Sequence, residues 1–195
     1  MGRGEEATAP IDQVLSGLIS VDTDEIVNSL LLIPVEPDAI VRAEVVAYLR
    51  TLASSDVLRI RAAVAQTLGR LKWNELTPTL FHALSDQDSV VRLNAARSLL
   101  ERPRLGALLE QAFIAASPRA VDALIRVIEQ DRRRQYRLFE LIRREELTVT
   151  KASIIVASPI LRKRLLAFLE TTEINPDLAS VAAFEPGPDL ATKSA

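Results

Sequence analysis

The chain has 195 residues, 48% of them hydrophobic and 26% charged, with a formal charge of −2 and no cysteine. That apolar share can bury a sizeable core and excludes wholesale disorder, while the missing cysteine excludes disulfide scaffolds, thiolate metal sites and thiol nucleophiles. The small net charge hides a segregation: residues 1–91 carry 7 bases against 13 acids, 92–164 carry 16 against 8, and 165–195 carry 1 against 5.

Apolar residues recur at helical spacing almost throughout and no stretch alternates with period two, so the expected class is all-α. Pro10 opens a helix over 10–20, and Asp22-Thr-Asp-Glu25 resembles a capping box that starts a second over 22–33. Pro34 and Pro37 end it. Further helices are expected over 38–53, 56–71, 74–84, 88–101, 105–115, 117–130, 132–146, 148–157 and 158–170, with Ser117-Pro118 and Ser158-Pro159 each reading as a cap followed by a first-turn proline. Residues 1–9 and the acidic, proline-interrupted stretch 171–195 are expected to be flexible ends around one helical domain spanning 10–170. No apolar run approaches the roughly 18–20 residues of a membrane span. The opening residues also lack an apolar signal segment, so a cytoplasmic protein is expected.

Internal similarity organises these helices. Aligning Arg42, Arg61 and Arg92 puts Val41, Ile60 or Val91 just before the arginine and Leu49, Leu68 or Leu99 seven residues after it. An aspartate, Asp38, Asp56 or Asp88, lies four or five residues upstream, where it can cap the helix and favour its dipole. Each helix then has one apolar face. The segment 38–99 resembles HEAT-like repeats, in particular the short variety found in bilin-lyase-type proteins. Arg61 and Arg92 stand 31 residues apart, but Arg42 and Arg61 only 19, so one of these helices takes the outer role. Inner helices are expected to begin at Thr23, Asp56, Asp88 and Ser117. The resemblance implies a right-handed α-α superhelix of about five helical hairpins.

The chemistry-bearing residues are few. His82 is the only histidine, it lies between apolar neighbours, and no second histidine or cysteine offers a metal set. The glycines are scattered and build no phosphate loop. Neither catalysis nor a cofactor is expected. Asp38, Arg42, Asp56, Arg61, Asp88 and Arg92 read as a structural ladder in which each arginine pairs with the cap aspartate of a neighbouring repeat. Trp73 is expected to cover the edge of the core between hairpins.

The run Arg132-Arg-Arg-Arg-Gln-Tyr-Arg137 differs from the rest, because Arg133, Arg137 and Arg144 fall on one side of its helix with Glu140 between them. Glu140 with Arg144 reads as an ordinary pair on a solvated face. Arg132, Arg133, Tyr136, Arg137 and Arg144 are nevertheless the candidate partner-binding residues, suited to another protein with an acidic surface. The chain's own tail is a second candidate occupant, since 170–189 is acidic around the apolar island 178–184. The leading reading is a non-enzymatic adaptor that holds another protein on the concave surface of a repeat array. Resemblance to bilin-lyase-type repeats implies an alternative, the handling of a tetrapyrrole or pigment-binding subunit. Weak, nonspecific phosphate binding to nucleic acid is the other, disfavoured by the scarcity of aromatic residues for base stacking.

Overall fold

A computed structural model describes residues 10–115, 117–144, 158–161 and 163. Among these the regular structure is helical and no strand occurs: α1 Ile11–Leu18, α2 Thr23–Leu32, α3 Ala39–Leu52, α4 Leu58–Leu71, α5 Thr77–Leu84, α6 Ser89–Leu100, α7 Leu105–Ala115, α8 Pro118–Glu129 and α9 Arg132–Arg143. None of the described helices is long and apolar enough to cross a membrane. The chain divides into two compact units, Met1–Pro103 and Arg104–Ala195. The expected helix over 148–157 and the tail 171–195 lie outside the described residues.

Capping chemistry sets most helix starts. Asp22 accepts from the backbone N–H of Asp24 at 2.7 Å, Asp38 from those of Ile40 and Val41 at 2.9 Å each, and Asp88 from that of Val90 at 2.7 Å. Only half of the capping box at Asp22 forms. Glu25 does not reach back to the Asp22 amide but accepts from the Ser20 hydroxyl at 2.6 Å, and that hydroxyl oxygen in turn accepts from the Asp22 N–H at 3.0 Å. Asp56 does not cap α4: Val57 holds the cap position, and the amide of Val57 donates to Ser55 Oγ at 3.2 Å. The expected helix over 74–84 splits into a 3-10 turn at Asn74–Leu76 and α5, where Pro78 falls in the first turn and loses no hydrogen bond.

In the first unit α2, α4 and α6 pack side by side, with α1 on α2, α3 on α4 and α5 on α6. Their shared faces bury Leu30, Leu49, Val64, Leu68, Leu80, Ala95 and Leu99 completely. This is the expected hairpin stack, with α3 in the outer role. Gly69 permits a close approach: a Cβ there would stand 3.0 Å from Ser98 Cβ and 3.1 Å from its Cα, so α4 and α6 could not keep their spacing. Ser98 itself donates to the Ala65 carbonyl at 2.7 Å, and Asn94 to that of Ala62 at 3.2 Å. The second unit is described at α7, α8 and α9 and a short helical turn over 159–161, with Leu109, Leu124, Val127, Ile128 and Leu161 fully buried.

Candidate functional site

The repeat arginines are tied differently from expectation. Arg61 grips Asp86, not a cap aspartate, through Nε at 2.8 Å and Nη2 at 3.3 Å, and donates from Nη1 to the carbonyls of Ser55 and Asp56. Arg92 repeats the backward reach, with Nη1 on the carbonyls of Asp86 and Gln87 at 2.7 and 2.8 Å. Each guanidinium thus closes the loop that enters its own helix, and Asp86 joins the two repeats. The carboxylate partner holds the Arg61 pKa above the ordinary arginine value against an opposing contribution from burial. Arg42 leaves this pattern: it lies 4.8 Å over the Trp73 ring and meets Glu75 at 3.7 Å. The physical reason lies in side-chain length. An arginine in the first turns can reach its incoming loop, whereas Asp38 and Asp88 already accept from helix N–H groups and Asp56 does not cap.

A second set of arginines caps helix ends. Arg70 donates to the carbonyls of Ile33 and Leu30 at 2.6 and 2.9 Å, past the end of α2; Arg102 donates to those of Trp73 and Leu68 at 2.7 and 3.1 Å, past the end of α4. Arg102 is 1% exposed, and burial lowers its pKa. Trp73 is buried as expected at the core edge, its indole N–H donating to the Val35 carbonyl at 2.8 Å. These linkages tie down Arg42, Arg61, Arg70, Arg92 and Arg102. A polar hollow of about 300 Å³ between α4 and α6, lined by Gln66, Gly69, Asn94, Arg97, Ser98 and Glu101, is also internally bonded, with Arg97 donating to Asn94 at 3.1 Å.

His82 lies exposed beside a shallow hollow whose other lining residues are Arg50, Ala53, Ser54, Pro78 and Thr79. Its Nε2 stands 3.5 Å from Ser54 Oγ. No carboxylate lines the hollow to orient the ring, so the pair lacks the third group that activates a serine. Among the described residues no group of three or more histidines and acids could hold a metal ion.

The basic helix is different. Asp131 opens α9 by accepting from the Arg133 amide at 2.8 Å, and buried Gln135 donates to the carbonyls of Ile128 and Glu129 at 3.0 and 2.8 Å, fixing α9 against the end of α8. Leu138 and Phe139 point into the core at 1% and 4% exposure. The polar side is therefore turned outward: Arg132, Arg133 and Arg144 are exposed, Tyr136 is 57% exposed and Arg137 is half-buried. A groove of about 340 Å³ collects Tyr136, Arg137 and Arg144 with Arg104, Leu105, Glu140 and Leu141; Arg132 and Arg133 do not line it. Glu140 pairs with Arg144 at 3.5 Å.

Arg104 was not legible as part of this site. It precedes α7 with a left-handed φ of 53°, a conformation that is strained for a residue with a side chain. Its carbonyl accepts from the Leu108 amide at 3.3 Å, while its exposed guanidinium has no partner among the described residues. Three arginines therefore surround one glutamate over an apolar floor.

Comparison with known proteins agrees with the helical pattern. The family model for HEAT repeats matches the chain twice, over residues 12–100 and 49–143. No curated protein and no solved structure matches it. With two thirds of its length covered by that model, the chain belongs to the HEAT repeat family.

Proposed function

We propose that this HEAT repeat chain is a non-enzymatic adaptor that receives an acidic segment of another protein on the outward face of α9. HEAT repeats commonly mediate protein–protein interaction, and that general role supports the reading. One observation carries the choice of surface: Arg104, Arg137 and Arg144 line one groove, and the Arg104 guanidinium has no partner among the described residues. Arg137 and Arg144 supply forked donors for carboxylates, and Tyr136 with Leu105 and Leu141 offers apolar contact between them. Arg132 and Arg133, exposed at the start of α9, add long-range attraction. A single aromatic ring in the groove gives little for stacked nucleic-acid bases. The lack of cysteine fits a cytoplasmic setting.

The test is fluorescence anisotropy of a labelled peptide of alternating glutamate and leucine, titrated with the full chain at low and moderate salt. Binding should weaken with salt, and Arg137→Ala with Arg144→Ala should weaken it roughly ten-fold, since each exposed charge pair contributes about 0.2–1 kcal/mol. Salt-independent binding, or no binding at low salt, would reject the acidic-partner reading.

A further inference from the structure

We infer that the first unit carries a docking surface of its own, the edge formed by the starts of α2, α4 and α6, and that its occupant is an extended basic segment of a partner protein with an apolar side chain at every third position. The inference does not depend on the α9 groove. Contacts at both ends of the helices show that these three starts lie together. Arg59 pairs with Asp24 across the first turns of α4 and α2, and Arg61 pairs with Asp86, two residues before the cap of α6. At the other ends Arg70 reaches an α2 carbonyl and Arg102 an α4 carbonyl, so the three helices run parallel.

Apolar side chains are exposed along this edge. Val21 is wholly exposed, and Ile19, Val57, Leu58 and Val90 are between 41% and 64% exposed. One exposed apolar residue is ordinary, but five at the aligned starts of packed helices mark an interaction surface. The turn that presents Val21 is fixed, because the Ser20 hydroxyl donates to Glu25 at 2.6 Å and accepts from the Asp22 amide at 3.0 Å. Val57 holds the cap position of α4, directly after the Ser55 and Asp56 carbonyls that accept from Arg61. The surface is therefore held in place before a partner arrives, which spares the cost of ordering it.

Charge identifies the occupant. At the start of α2, Asp22, Asp24 and Glu25 stand against Arg59; at the starts of α4 and α6, Asp56, Asp86 and Asp88 stand against Arg61 and Arg92. Arg61 and Arg92 are turned toward loop carbonyls. The helix ends offset part of the charge on the caps Asp22 and Asp88, but Glu25 and Asp56 are exposed and cap no helix. An acidic excess beside exposed apolar groups attracts a basic segment and repels an anionic one. Spacing sets the conformation of that segment. Packed helices lie about 8–10 Å apart, and each start contributes an apolar residue with an aspartate: Val21 with Asp22, Val57 with Asp56, Val90 with Asp88. In a polyproline II segment, side chains three residues apart return to the same side after about 9 Å, which matches that step. A strand returns after about 6.7 Å and does not.

The experiment titrates the full chain into a fluorescein-labelled peptide of repeating Leu-Pro-Arg at low and moderate salt. Binding should weaken as salt rises. Val21→Ser with Val90→Ser should weaken it about ten-fold, and Glu25→Gln with Asp56→Asn about five-fold. Arg137→Ala with Arg144→Ala, which tests the acidic-partner reading, should leave it unchanged. No binding at low salt, or binding that neither edge pair alters, would overturn the inference while leaving the α9 reading intact. Loss with the α9 pair alone would likewise overturn it. Dimerisation of the chain in sedimentation, abolished by Val21→Ser, would assign the edge to a second copy and contradict a separate partner.

A second readout does not depend on the paired variants folding. Because the chain has no cysteine, Val21→Cys gives a single site for an environment-sensitive dye, at a side chain that packs against nothing. Its emission should shift to the blue when the Leu-Pro-Arg peptide is added, whereas the same dye on Asn74→Cys, exposed just past the other end of α4, should not respond. Unchanged emission at position 21, or an equal change at both positions, would refute the inference.

Discussion

Asp86→Ala is expected to destabilise the first unit by about 3–5 kcal/mol, because it strips the carboxylate from a buried, two-pronged ion pair and leaves the Arg61 charge with carbonyls alone. Both side chains are at most 10% exposed, so water cannot replace the lost partner. The same change frees the Asp88 amide, which donates to Asp86 at 2.7 Å, and so loosens the entry to α6. Urea denaturation followed through the fluorescence of Trp73, the only tryptophan, reads this unit directly. Arg61→Met combined with Asp86→Ala should cost clearly less than the two single losses added together, since the double variant leaves no buried charge unpaired. Strict additivity would mean that the pair does not couple the repeats.

The second large effect is expected at Arg102, the largest fully buried side chain of the molecule's described part. Arg102→Ala removes two donors to the Trp73 and Leu68 carbonyls and leaves a cavity, together worth about 3 kcal/mol. Arg102→Met keeps most of the aliphatic volume and relieves the desolvated charge, so it should recover a substantial part of that loss. The same urea experiment separates packing from hydrogen bonding by the difference between the two variants. A methionine variant no better than alanine would assign the whole effect to the lost donors.

The uneven legibility of these features has a physical origin. Helix starts at Asp22, Asp38, Asp88 and Ser117 depend on contacts two or three residues long, and they were readable. So was the apolar face that repeats through Ile60, Leu68, Val91 and Leu99, because helical period alone determines it. Asp86 carries no local signal of its role; its partner lies 25 residues away, and only the stacking of α4 on α6 brings them together. Arg70 and Arg102 reach carbonyls 29 to 40 residues distant, again a product of the stack. At the α9 site Tyr136, Arg137 and Arg144 were found from the basic run, whereas Arg104 joins them through a left-handed backbone turn that an arginine does not advertise. Leu105 and Leu141 border the groove and give the candidate site its floor.

The adaptor account makes α9 the place where a partner is held, and hydrogen–deuterium exchange of the full chain tests that most directly. With a saturating glutamate–leucine peptide, slowed exchange should concentrate in residues 132–144 and at the start of α7, with α2, α4 and α6 unchanged. Protection spread over the α2, α4 and α6 surface, or none anywhere at low salt, would contradict it.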